Sequence, residues 1–294
     1  MNLITEITET PVRVSETRRF LRIFLGRGVV AFGVAIVLLL LITAILAPLI
    51  APYDPYETVL RETLEPPSVQ HLLGTDTLGR DILTRIIYGT RTSLIIGLVA
   101  IFVSGIIGSI LGLLAGYLGK WVFTIIMRLM DALMAFPMII LALVIASMLG
   151  AGMVNVIIAL TVGLIPGYTR LMCGQVLSTK QNDYVLAAHS LGSDNYRIMF
   201  RHILPNSFQP VIVYMTMMLG QAILAEAGLS FLGIGVQAPI PAWGSMISEG
   251  RDFLLMAPLL SFAPGFVLMF AVFSFAMVGD GLRDALDPRL RGIL

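Results

Sequence analysis

Inside an apolar chain the ionisable residues are the ones able to do chemistry, because a charge held in a bilayer is costly enough to need a reason. Arg128 and Asp131 stand three positions apart within one apolar run, and Glu226 lies near the end of another. Helix positions three apart share a face, so Arg128 and Asp131 are expected to pair. The arginine is also long enough to snorkel to the membrane surface. Glu226 has two readings, a group lining a solute pathway or its outer gate, and a carboxyl held in a static hydrogen bond. Enzyme chemistry finds little support. Ser230 and Ser245 have no histidine at motif spacing. Cys173, the single cysteine, has no Cys or His neighbour at metal-ligand spacing, so no metal site is expected. The stretch GTDTLGRD, Gly74–Asp81, is too poor in acidic residues for a calcium loop. A nucleotide loop G-x-x-x-x-G-K-[ST] is missing, and the nearest fragment, Gly116–Lys120, has the wrong spacing and is followed by Trp121.

The elements that must position these residues are membrane spans. Hydrophobic residues make up 57% of the 294 and charged residues only 13%, about half the share usual in soluble domains. The net charge of +1 offers no basic field for nucleic acid. A spanning helix needs about 20 mainly apolar residues. Six stretches qualify or nearly so: Val29–Ile50, Leu94–Leu118, Trp121–Leu149, Met153–Thr169, Phe208–Leu229 and Phe253–Val278. Six spans put both termini on one side. With the termini inside, 14 of the 19 basic residues fall on inner segments and 5 on outer ones, so both ends are expected in the cytoplasm. The first run exceeds the apolar core of a signal peptide and reads as a retained anchor. The expected division is a tail (1–28), a first span (29–50), an outer segment (51–93), a five-helix core (94–279) and a second tail (280–294).

The outer segment is Pro-rich at first. Later in it, Asp81 and Arg85 are spaced as a helix pair, with Ile82, Ile86 and Ile87 towards lipid or protein. This predicts a short surface helix feeding the second span, either lying at the interface or offering a docking site. Beyond the fifth span, GVQAPIPAWG cannot be a regular helix at Pro239 and Pro241, and Trp243 is expected to anchor at the membrane interface. Gly108, Gly112 and Gly116 form a smooth stripe on the second span. A helix can approach it closely, from within the subunit or from a partner, although glycine is common in spans anyway.

The least membrane-like stretch between spans is AAHSLGSDNYRIMFRHILPN, Ala187–Asn206, within a loop of residues 180–206. Asn182 or Asp183 can cap a first helix, with Tyr184, Val185, Leu186 and Leu191 on its apolar face. Gly192 ends it. Ser193 or Asp194 caps a second helix, and Pro205 stops that one. Two uses remain open on pattern alone: a hairpin on the bilayer surface, or a helix offered to the groove of another protein.

This loop resembles the EAA loop of ABC importer permeases, with pattern E-A-A, three residues, G, nine residues, I-x-L-P. Ala187, Ala188, Gly192, Leu204 and Pro205 fall in register. Leu186 stands in place of the glutamate and His202 in place of the isoleucine. His71–Leu94, Ile223–Ile247 and Gly279–Pro288 are similar to segments of the C-type permeases of dipeptide, oligopeptide and nickel importers. The resemblance implies an all-α permease of the type I importer fold with six transmembrane helices, in a bacterial or archaeal cytoplasmic membrane. It further implies that the loop docks one of two cytoplasmic ATPase subunits, which would hold the ATP and Mg²⁺, this chain binding no cofactor itself. A second homologous permease and an extracytoplasmic solute-binding protein complete the implied assembly. The cargo would be a di- or oligopeptide, or a related solute such as a nickel chelate. A self-powered secondary transporter or channel, or a membrane scaffold, is the alternative, although no internal repeat of the transporter kind is evident.

Overall fold

Apolar runs that must satisfy their own backbone in lipid can only be helices here, and helices are what form. The computed structural model describes residues 20 and 23–286, and no strand occurs among them beyond one isolated bridge, Thr75 to Asp81. Several of the basic residues counted towards the inner side, including Arg13, Arg289 and Arg291, lie outside the described residues.

Helix α1 (Gly28–Ile50) is mostly exposed and packs on the last helix, α10 (Leu259–Leu286), with Arg27 paired to Asp284 and Gly33 against Met277. Helix α2 runs unbroken from Ile82 to Leu118. The expected short surface helix is therefore the first turns of the second span itself. The reason is local: Asp81 caps this helix, its carboxylate accepting from the Thr84 N–H at 2.7 Å. At 37 residues α2 is about 55 Å long, well beyond a hydrocarbon core of about 30 Å.

The third apolar run is not one straight helix. It forms α3 (Lys120–Met134) and α4 (Met138–Leu149), with axes 88° apart. Pro137 sits between them in an extended conformation, φ −53° and ψ 133°, and proline disfavours the helical region for the residue before it. Helix α5 (Met153–Thr179) continues ten residues past the expected end at Thr169, through Arg170. The loop follows as α6 (Asp183–Ser190) and α7 (Asn195–Arg197), a π-helical segment (Ile198–Ile203), and α8 (Leu204–Phe231). A short α9 (Trp243–Gly250) precedes α10, which starts at Leu259 rather than Phe253. Among the described residues five helices are long and apolar enough to cross a membrane, or six if the bent α3–α4 pair is one span.

The most extensive pairing is α2 on α5. A Cβ added at Gly112 would lie 2.5 Å from the Thr169 carbonyl oxygen, and one at Gly108 2.5 Å from the Tyr168 Cβ. The glycine stripe thus meets a helix of its own chain. At the end of the bundle where α2 begins, residues 51–81 fold over α9 around a buried ion network. Asp76, fully buried, accepts from Arg80 at 2.6 Å and faces Arg85 at 3.3 Å, while Glu249 of α9 meets Arg80 at 3.0 Å. Arg85 therefore pairs with Asp76 and not with Asp81, because Asp81 is occupied as helix cap and by His71 at 3.0 Å. Trp243 is also corrected: it is fully buried, its indole N–H 3.4 Å from the Ile86 carbonyl and its ring against Gly89, so it packs the cap rather than anchoring at an interface.

Candidate functional site: the polar loop and the cavities above it

The loop's first helix begins after Asn182, whose side chain makes no capping bond. It ends two residues before Gly192, which takes φ +78°, a left-handed conformation that side chains other than glycine adopt at a cost. Asp194 caps the second half by accepting from the Tyr196 N–H at 3.1 Å. That half does not stop at Pro205. It passes into α8, giving a continuous helical run of 37 residues from Asn195 to Phe231. Proline is tolerated there because it falls in the first turn after a π segment, where the Leu204 N–H reaches back to the Met199 carbonyl. The Asn206 side-chain amide donates to the His202 carbonyl at 2.7 Å, supplying one of the bonds that the change of register leaves over.

One side of the loop is packed and the other is bare. Val185, Ile198, Met199 and Ile203 are buried in the main apolar cluster with Leu113, Tyr117 and Val176, and Ala188 and Leu204 lean on it. The opposite side presents Tyr184, Leu186, Tyr196 and Phe200, all exposed, and Leu191 at 87% exposure. The Tyr196 and Phe200 rings lie 4.5 Å apart. Of the five positions in register with the EAA pattern, Ala188 and Leu204 face the bundle, Ala187 and Gly192 are open, and Pro205 lies on α8 where the loop ends. Among the described residues two polar side-chain contacts tie the loop to α2: the Tyr117 hydroxyl donates to the Asn195 side-chain oxygen at 2.7 Å, and the Lys180 ammonium donates to the Tyr117 carbonyl at 2.9 Å. At the loop's two ends Ser207 of α8 donates to the Thr179 hydroxyl of α5 at 3.1 Å.

Two cavities open among α3, α4, α5, α8 and α10. One, of about 320 Å³, sits at the Pro137 bend against Pro166 and Gly167 of α5. The other, of about 620 Å³, is lined by Gln175, Asn206, Gln209 and Arg283 among apolar residues. Tyr214 lines both, with its ring edge-on to Tyr168 at 5.0 Å.

The intramembrane ionisable residues are placed differently from expectation. Asp131 pairs with Arg170 of α5, not with Arg128 of its own helix. The 88° bend lets α3 lie across α5, and Arg170 becomes reachable only because α5 extends past Thr169. Glu226 is fully buried and lines neither cavity; one carboxyl oxygen accepts from Ser230 at 2.8 Å, and the Ser230 oxygen in turn accepts from the Val236 N–H at 3.1 Å. Tyr117, Lys180, Asn195 and Tyr214 escaped the sequence reading. A tyrosine at a span's end carries no local pattern that marks it, because its role depends on the loop folding back.

Comparison with known proteins shows the family and the fold. Residues 108–292 match the model of the binding-protein-dependent transport system inner membrane component, and residues 15–67 that of the N-terminal TM domain of oligopeptide transport permease C. The chain is 45% identical over 259 residues to the dipeptide transport system permease protein DppC of Alkalihalophilus pseudofirmus, covering 88% of this chain and 85% of that one. It is 44% identical over 275 residues to the glutathione transport system permease protein GsiD of Pectobacterium atrosepticum, covering 93% and 91%. In fold it is similar to a chain of the MetNI methionine ABC transporter in an inward-facing conformation, with TM-score 0.58 and 16% identity, over 70% of this chain and 98% of that chain.

Proposed function

The chain belongs to the binding-protein-dependent transport system inner membrane components, integral permease subunits of ABC importers that are not themselves enzymes, and from that premise we propose that it couples ATP turnover on partner subunits to uptake of small peptides. The observation that carries this reading is the loop of residues 180–206, packed on one side and bare and aromatic on the other. A helix with an apolar, unpartnered face is the form in which a helix enters another protein's groove. The partner is a cytoplasmic ATPase subunit, one of two, which hold the ATP and Mg²⁺. Leu186, in the position of the family's glutamate, makes this contact apolar on that side.

The two termini and the loop face the cytoplasm, as the bias of basic residues supports. Residues 51–81 and α9 then form the outer cap, which receives a solute-binding protein. A second, homologous permease completes the pathway. The cavities meeting at Tyr214 lie on this chain's side of it. Movement of the loop, driven by closure of the ATPases, switches access from one side to the other. The names of the relatives, dipeptide and glutathione permeases, support a short peptide as cargo.

Gly192→Val tests the loop's role. Valine at φ +78° is strained by about 1–2 kcal/mol, and open space around Gly192 means that strain, not collision, is the effect. The variant complex is expected to hydrolyse ATP while uptake falls by about ten-fold or more. Uptake per ATP equal to that of the unaltered complex would contradict the reading.

A further inference from the structure

Tyr117 grips the loop at two places. Its hydroxyl donates to Asn195 at 2.7 Å, and Asn195 opens the second half of the loop. Its carbonyl accepts from the Lys180 ammonium at 2.9 Å, and that ammonium stands 5.1 Å over its ring. Lys180 closes α5, three residues before the first half begins. Tyr184, Leu186 and Leu191 of the bare face lie between these two points, and Tyr196 and Phe200 follow just after the second. A sideways push on that face is therefore resisted at both ends by one residue, buried to 8% exposure in the last turn of α2.

The consequence depends on what α2 is. The loop is joined covalently to α5 and α8, but not to α2. Its remaining contacts with α2 are apolar, and apolar contacts have no direction and let surfaces slide. Hydrogen bonds are directional and do not. Helix α2 is unbroken from Tyr117 to its cap at Asp81, and near that cap Arg85 joins the ion network that holds α9. One straight element thus links the loop to the opposite end of the molecule.

We propose that Tyr117 is the positioning residue that makes α2 move with the loop, so that the loop and the outer cap are coupled through that helix. This rests on the reading of the loop as the contact with an ATPase. The residue acts in signalling between the two ends as well as in holding the loop, and the test reads that coupling directly.

The experiment uses the whole complex, reconstituted with its ATPase, second permease and binding protein. It measures the stimulation of ATP hydrolysis by loaded binding protein, per assembled complex. Tyr117→Phe keeps the ring and the backbone carbonyl and removes only the hydroxyl. Stimulation is expected to fall by roughly two- to ten-fold, the range one hydrogen bond commands, while the ATPase still co-purifies. Asn195→Ala is expected to do the same, and the double variant no more than either alone, the mark of a shared contact. Stimulation in Tyr117→Phe equal to the unaltered complex, or losses that multiply in the double variant, overturns the proposal alone. An unaltered chain that retains no ATPase overturns both this proposal and the reading beneath it.

Discussion

His71 shows how a single side chain ties the outer segment together. It is buried at 7% exposure between Asp81, 3.0 Å from one ring nitrogen, and Glu62, 3.3 Å from the other. Tyr53 lies against its ring, and Asp54 and Glu57 line the same cavity. Burial pulls the imidazole pKa down, but the hydrogen bonds and charges of Asp81 and Glu62 together outweigh it, and the pKa is raised. A folded-state pKa above the unfolded value of about 6.5 gives stability that is fully present below that pH and is lost as pH rises through the folded value. The melting temperature of the purified chain is accordingly expected to fall as the pH rises above about 6.5 and through the raised folded value, and His71→Gln to flatten that part of the profile. An unchanged slope in His71→Gln would show that other groups set it.

At the scale of elements, the contact of α2 with α5 is the most extensive and has a clear mutational consequence. A leucine at Gly112 has no room beside the Thr169 carbonyl, because the first side-chain carbon already falls 2.5 Å from it. Even Gly112→Ala is expected to destabilise by about 1–3 kcal/mol, and Gly112→Leu to abolish the folded chain. Thermal melting in detergent reads this, and a melt like that of the unaltered chain would contradict the account.

The helices, their order and the glycine bend of the loop could be read from the chain because each has a local cause: an apolar run, a cap or a turn residue. What could not be read depends on residues distant in sequence. Asp131 was given to Arg128 because spacing knows only its own helix, whereas the true partner, Arg170, arrives by way of the bend at Pro137. Trp243 looked like an interfacial anchor because nothing nearby shows that Gly89 leaves a place for its ring. Pro205 looked like a stop because a π segment, which shifts register ahead of it, has no sequence signature comparable to a cap. Glu226 had two readings, by a pathway or in a static hydrogen bond, because charge alone does not separate them; in the structure its neighbours are Ser230 and the turn at Val236.

The whole molecule has two polar ends joined by long helices. At one end an ion network of Asp76, Arg80, Arg85 and Glu249 clasps the segment before α2 to α9. At the other, Tyr117, Lys180 and Asn195 clasp the loop. Between them the glycine stripe locks α2 to α5, while cavities lie where these meet the bent α3–α4 pair and α8. Close-packed interiors transmit strain, and the proposed link between the two ends relies on that property. The molecule also leaves large apolar faces on α1, α2 and α10 exposed, which suits lipid and a second permease.

The proposed function makes this chain a conduit powered from outside itself, with peptide as cargo. Its most direct test is uptake of labelled dipeptide into vesicles holding the chain with its second permease and ATPases, with binding protein added outside. Uptake is expected to require ATP, binding protein and the loop together, and to be lost when any one is removed. Uptake by the chain alone, driven by an ion gradient and indifferent to ATP, would contradict the account.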